Sequence, residues 1–164
     1  MTEPIGEGLV VGVSHIAIGV SDMERSLAFY RDVLGLIVSL DRIEVNGGDR
    51  PKNRRACYLR WTRGSGSSYV VLDQRLDPPP FGEPAELFQV GVHHISFLTT
   101  DINEVVRRAI AAGIEVWGRD GQPSERDGPA NGEPEGEHVV KTIMMLDPDG
   151  TIVQFDQWVH SSAT

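Results

Sequence analysis

The sequence predicts an α+β fold of two βαβββ modules, and three observations carry that prediction. The chain repeats itself, a helix pattern follows the first strand pattern of each copy, and three more strand patterns follow each helix. The repeat comes first, because self-similarity at a fixed offset decides the architecture. Gly12-Val13-Ser14-His15-Ile16-Ala17-Ile18 is answered by Gly91-Val92-His93-His94-Ile95-Ser96-Phe97 at an offset of 79 residues, which also carries Asp22 onto Asp101. Tyr69-Val70-Val71-Leu72-Asp73-Gln74 is answered by Ile152-Val153-Gln154-Phe155-Asp156-Gln157 at an offset of 83, the difference falling in loops between strands. The expected organisation is a single domain over 1–164, with module one at 9–75, a linker at 76–87 and module two at 88–159.

Each element follows from its local pattern. Residues 11–20 alternate or run apolar with β-branched side chains, as a strand does. Ser21-Asp22-Met23-Glu24 then has the form of a capping box, and Met23, Leu27, Tyr30 and Leu34 follow at helical spacing before Gly35 stops the helix. In the second copy Thr100 or Asp101 caps a helix whose apolar face is Ile102, Val105, Val106, Ala109 and Ile110, and Gly113 ends it. Strands are expected at 36–45, 55–62 and 68–74, and again at 114–118, 139–146 and 151–159. The last two are joined by the turn Asp147-Pro148-Asp149-Gly150, with proline where a turn needs a fixed φ. Asp77-Pro78-Pro79-Pro80-Phe81-Gly82-Glu83-Pro84 reads as a stiff linker. The stretch from Gly118 to Glu137 is charged and rich in Gly and Pro, without periodicity, and reads as a long mobile loop suited to a lid.

Composition narrows the function classes. A chain of 164 residues can bury a substantial core, and its 40% hydrophobic content is that of a globular protein. No apolar run approaches the roughly 20 residues of a membrane-spanning helix. The acidic start, Met1-Thr2-Glu3-Pro4-Ile5-Gly6-Glu7, lacks the basic and apolar regions of a secretory signal, so a cytoplasmic protein is expected. Cys57 is the single cysteine, which excludes an intramolecular disulfide and is read as a small buried residue. A net charge of -9 argues against nucleic-acid binding. The basic residues nevertheless cluster: Arg50, Lys52, Arg54, Arg55, Arg60 and Arg63 form either a solvated hairpin or an anion-binding rim.

The run from Asp22 to Leu36, DMERSLAFYRDVLGL, resembles the first-helix signature of the vicinal oxygen chelate superfamily, which holds glyoxalases, bleomycin-resistance proteins and extradiol dioxygenases. Asp147-Pro148-Asp149-Gly150 before a final strand is similar to the same family, and the resemblance covers about residues 10–159. It implies that the two modules form paired curved mixed sheets around a cleft. It also implies that each module offers a histidine from its first strand and an acidic or amide residue from its last.

On that resemblance His15 and His94 are metal ligands, and Gln154, four residues after Gly150, stands where the family usually has glutamate. The matching position in module one is Val71, which cannot ligate. Two imidazoles and a neutral amide oxygen are similar to the 2-His-1-carboxylate triad of non-haem iron, with an amide in place of the carboxylate. Asp156 and its repeat mate Asp73 could bind the metal themselves, hydrogen-bond a ligand, or cap strand ends at the surface. His93 is expected to point away from His94 by strand alternation, and His138 and His160 to lie in a loop and a tail. Some of Tyr58, Trp61, Tyr69, Trp117, Phe155 and Trp158 would supply stacking area for a flat small molecule.

The resulting expectation is a metal-dependent enzyme, foremost a ring-cleaving dioxygenase of extradiol type acting on a small aromatic or diol substrate. Its cofactor would be a divalent metal ion, Fe(II) first, with Mn, Zn, Ni or Co as alternatives. The alternatives in function are a glyoxalase-like lyase or isomerase, and a metal-free small-molecule-binding resistance protein. The partners expected are a small-molecule substrate and a second copy of the chain, with no nucleic acid and no membrane. No residue is assigned as the proton-transfer group.

Overall fold

The computed structural model describes residues 10, 12–46, 52–64, 67–118, 120–127 and 138–160. The chain divides into two compact units, and the helical residues Glu24–Leu34 group with the second.

The first unit holds a four-stranded mixed sheet of β1 (His15–Val20), β2 (Ile37–Asn46), β3 (Lys52–Arg60) and β4 (Tyr69–Asp77) in the order β1-β4-β3-β2. β1 pairs with β4 in parallel, and the remaining pairs are antiparallel. Strand alternation separates its side chains into two sets. One set, Ile18, Val20, Cys57, Leu59, Val70 and Leu72, is buried. The other carries His15, Tyr58, Arg60, Tyr69 and Asp73, all half-buried or exposed. Cys57 is buried as the sequence implies.

The second unit holds a mixed sheet of β5 (Ile95–Leu98), β9 (Ile152–His160), β8 (His138–Leu146) and β6 (Val116–Trp117), in that order, with β7 (Ser124–Asp127) also pairing with β8. Its core is made by Val140, Ile143, Met145, Val153 and Phe155. Two helical segments belong with it. α2 (Ile102–Ala111) starts at Asp101, whose carboxylate accepts from the Glu104 N–H at 3.0 Å, and buries Ile102, Val106 and Ala109. Gly113, at φ 75°, supplies its left-handed stop. The other segment is the continuation, at Ala28–Val33, of the short helix α1 (Met23–Leu27), and it packs against α2.

Four expectations need correction. The 3.6-residue spacing predicts an α-helix to Leu34, but Ala28–Val33 form a π-helical turn, in which Leu34 N–H donates to Phe29 C=O at 3.0 Å. The wider turn lets the consecutive residues Phe29 and Tyr30 both be buried, with their rings edge to face at 4.9 Å. Ile110 is 57% exposed, so the apolar stripe of α2 is narrower than its sequence pattern.

The expected loop from Gly118 to Glu137 contains β7, paired with β8 through Ser124↔Thr142 and Glu125↔Lys141. β6 and β7 together cover the length of β8 that one strand covers in the first unit, with a tight turn between them. Gly118 makes that turn feasible: a Cβ there would stand 2.3 Å from Gln122 O and 2.8 Å from Ile143 Cδ1. Residues 119 and 128–137 lie outside the described residues. Finally, His138 and His160 are not in a loop and a tail but end β8 and β9, paired with each other.

The duplication is visible in hydrogen bonds as well as in sequence. Gln74 Nε2 donates to Ser21 C=O at 3.1 Å, and Gln157 Nε2 donates to Thr100 C=O at 2.9 Å. The same glutamine, at the same place in each last strand, holds the same carbonyl before each helix.

Candidate functional site

On the second sheet, β5 and β9 run parallel with Ser96 opposite Gln154 and Leu98 opposite Asp156, and β8 sets Met144 against Gln154 and Thr142 against Asp156. Period-2 alternation therefore brings Ser96, Thr142, Met144, Gln154 and Asp156 to one face. Asp156 is buried at its centre. Gln154 Nε2 donates to both Asp156 oxygens at 2.9 Å, and Ser96 Oγ donates to Asp156 Oδ2. The Thr142 hydroxyl is buried with no hydrogen-bond partner among the described residues.

An amide has one donating and one accepting end. With its nitrogen held on Asp156, Gln154 has its carbonyl oxygen, Oε1, as the end left for another group. Asp156 is buried and accepts from Gln154 Nε2, so it is not exposed at the strand end. Sequence reasoning does not reach Ser96. The signal that could find it is its place two residues after His94, where parallel pairing to the last strand sets it beside the Gln154–Asp156 pair.

His94 lies just before β5, where strand alternation does not reach, and this corrects the expected orientation of its neighbour. The His93 and His94 rings are 4.6 Å apart and their Nδ1 atoms 2.9 Å apart, a hydrogen bond in which one Nδ1 carries the proton and the other accepts it. Phe88 packs against His93 at 5.9 Å between ring centroids.

On the first sheet, His15 and its register partner Tyr69 stack nearly parallel, 5.2 Å apart and 13° between planes. Tyr58 follows at 5.8 Å from Tyr69. Arg60 lies over Tyr69, its guanidinium carbon 4.7 Å from the ring centroid. Val71, with no donor atom, is buried on the same alternation as Tyr69 and Asp73. Asp73 accepts two hydrogen bonds from Arg54 Nη1, at 2.7 and 2.8 Å, and Arg54 Nη2 reaches Glu44 at 2.6 Å.

The repeat mate of Asp156 is thus held in an ion-pair network. Burial pushes the Asp73 carboxyl above its ordinary value, and Arg54 only partly offsets that. Hydrogen bonds from Arg54 and Arg42 hold Glu44 below its own. Of the basic cluster of the sequence, Arg54 and Arg55 are ion-paired, Arg55 with Asp41 at 2.7 Å.

Among the described residues no three His, Cys, Asp or Glu side chains gather as a site for a metal ion. Of the three metal ligands expected from the sequence, His15 lies in the first unit and His94 and Gln154 lie in the second.

Comparison with known proteins settles the family. The model of the Glyoxalase/Bleomycin resistance protein/Dioxygenase superfamily matches residues 14–131. The chain belongs to this superfamily. Virulence protein STM3117 of Salmonella typhimurium is 29% identical over 148 residues, spanning 90% of this chain and 84% of that protein. The structure of a glyoxalase family protein from Bacillus cereus superposes with a TM-score of 0.71 at 15% identity, covering 95% of this chain and 99% of that one. The trypanothione-dependent glyoxalase I of Leishmania major superposes at 0.55 and 19% identity, covering 88% and 84%. Both likenesses are of fold. No described helix is long and apolar enough to cross a membrane.

Proposed function

We propose that this superfamily member is a metal-dependent enzyme acting on a small molecule with adjacent oxygens, and that His15, His94 and Gln154 are its ligands. The observation that carries the reading is the anchoring of the Gln154 amide nitrogen on Asp156, 2.9 Å from each carboxylate oxygen. It fixes which end of the amide remains to bind. It also puts a buried negative charge directly behind a neutral ligand, which supplies part of the attraction for a dication that the family's glutamate would supply.

His15, His94 and Gln154 would hold a divalent ion, and the chemistry it would supply is polarisation of adjacent oxygens on a small substrate. That favours ring cleavage of extradiol type, with Fe(II) as the first candidate, over a four-ligand lyase or isomerase, because Val71 removes the fourth donor. The chain's own residues would do the rest. Asp156 orients Gln154, and Ser96 holds Asp156. A homodimer is part of the same reading, supported by the exposed apolar side chains Phe88, Val90, Val92 and Leu98, and a cytoplasmic location is proposed with it.

The second reading is a metal-free binder of resistance type, favoured by the neutral Gln154 where the family usually has glutamate. Metal analysis of protein purified without oxygen separates the readings. Iron near one equivalent is the expected result, zinc, nickel or cobalt would move the assignment to a lyase or isomerase, and no retained or added metal would leave the binder.

A further inference from the structure

We propose that Arg60, with Tyr69 and His15 beside it, forms a subsite for the carboxylate of a planar organic anion. This deepens the reading above by naming a substrate class, and depends on it only in taking a small molecule as the cargo.

The argument starts from charge pairing. On this face of the first sheet Arg42 and Arg54 are both committed to carboxylates, Glu44 and Asp73, and on the opposite alternation Arg55 is committed to Asp41. Arg60 differs. Its guanidinium stacks over Tyr69 at 4.7 Å, Nη1 donates to Ser67 C=O at 3.0 Å, and no described carboxylate reaches it.

The geometry also prepares it for an anion. A guanidinium lying on an aromatic ring keeps its N–H donors in its own plane, directed past the ring edge, and the Ser67 carbonyl fixes that plane. A carboxylate, itself flat, meets such a fork with paired hydrogen bonds. Half-burial of Arg60 and Tyr69 lowers the local dielectric and strengthens the attraction. The rest of the ligand would then lie along the aromatic row: His15 is nearly parallel to Tyr69, with Tyr58 next to it. A ring attached to the carboxylate is the shape this row accepts.

The test uses the whole protein in EDTA, so that no metal contributes, and follows benzoate, benzamide and phenyl phosphate by NMR. Benzoate should shift the signals of Tyr58, Tyr69 and the Arg60 guanidinium. Arg60→Met should weaken benzoate about tenfold while leaving the feeble binding of benzamide alone, and Arg60→Lys, which keeps charge but loses the fork, should weaken it several-fold. The proposal is overturned if Arg60→Met binds benzoate as well as the parent does, or if benzamide binds equally. Phenyl phosphate binding more tightly than benzoate would replace the carboxylate by a phosphate monoester. Folding of each variant is checked by its NMR spectrum, and Arg60→Lys keeps the test decisive if Arg60→Met does not fold. Because Arg60 is not among the metal ligands, both variants should retain metal as the parent does, so failure here and failure of the metal reading are separate results.

Discussion

Tyr30 Oη donates to Asp147 Oδ2 at 2.9 Å, joining two residues 117 apart in the chain at the point where the first-module helix meets the final turn of the second module. Both side chains are buried. Asp147 Oδ1 accepts from the N–H groups of Asp149 and Thr151, so one carboxyl organises the turn Asp147-Pro148-Asp149-Gly150 and ties it to the helix. Arg25 adds an ion pair to Asp149 at 2.8 Å. The turn leads directly into β9, and hence into Gln154 and Asp156.

Tyr30→Phe should therefore lower stability by about 1–2 kcal/mol, the cost of a buried carboxyl losing one donor. Burial, with the nearby Asp147 charge, pushes the Tyr30 hydroxyl well above its ordinary value. A raised value means that the phenol's contribution is fully present below about 10 and is lost as pH rises through the folded value. The stability gap between the parent and Tyr30→Phe should shrink in strong alkali, as urea melts across that range would show.

At the start of α2, Asp101→Ala removes the acceptor for the Glu104 N–H and should cost about 1 kcal/mol. Glu104 itself is held down to about 2 by hydrogen bonds from Arg107 and Arg108. A lowered value means the contribution is present above the ordinary carboxylate value and lost as pH falls toward 2. Titration of Glu104 by carbon-detected NMR should give that low value in dilute buffer and a higher one in 1 M salt, since the group is exposed and its partners are screened.

Arg54→Met should leave Glu44 and Asp73 without their shared cation. Both carboxyls should then titrate higher, Glu44 rising toward its ordinary value and Asp73 moving further above its own, because Arg54 is what restrains the effect of burial there. The stability lost in the variant should be greatest near neutral pH and diminish in acid, where Glu44 is protonated in the parent too. Unchanged Asp73 titration would mean that the network on the first sheet is not coupled in solution.

Much of this architecture is legible in the sequence because repeats and periodicity are local signals. The two strand–helix openings, the Asp101 cap, the Gly113 stop and the turn after Leu146 can each be read within a dozen residues, and the resemblance to the superfamily rests on such runs. The interactions around the site depend on register between distant strands. Ser96 meets Asp156 across 60 residues, and Arg54 meets Asp73 across 19. Neither pairing has a local pattern. β7 escapes the sequence pattern for a related reason: Ser124-Glu125-Arg126-Asp127 has no apolar alternation and is a strand only through its pairing with β8. The π-helical turn at Ala28–Val33 is hidden because Met23, Leu27, Tyr30 and Leu34 fit an ordinary helix equally well.

Gln154→Glu tests the proposed metal site through the sign of its effect. In the parent, the amide N–H₂ donates to a buried carboxylate. Glutamate would replace that donor by a second carboxylate against Asp156, and two buried like charges in contact are unfavourable unless a cation or a proton lies between them. In EDTA the variant should therefore be less stable than the parent, by about 1–3 kcal/mol. A dication bound at residue 154 reverses the account. It converts the repulsion into attraction, so saturating Mn(II), or Fe(II) without oxygen, should raise the melting temperature of the variant more than that of the parent, by linkage to tighter binding. His15→Ala and His94→Ala should each abolish the metal-dependent rise while changing the melt in EDTA little. Thermal melts of the four proteins with EDTA, Fe(II), Mn(II) and Zn(II) make the comparison. A Gln154→Glu chain destabilised to the same extent under every condition would place residue 154 in a metal-free pocket and remove the basis for a dioxygenase.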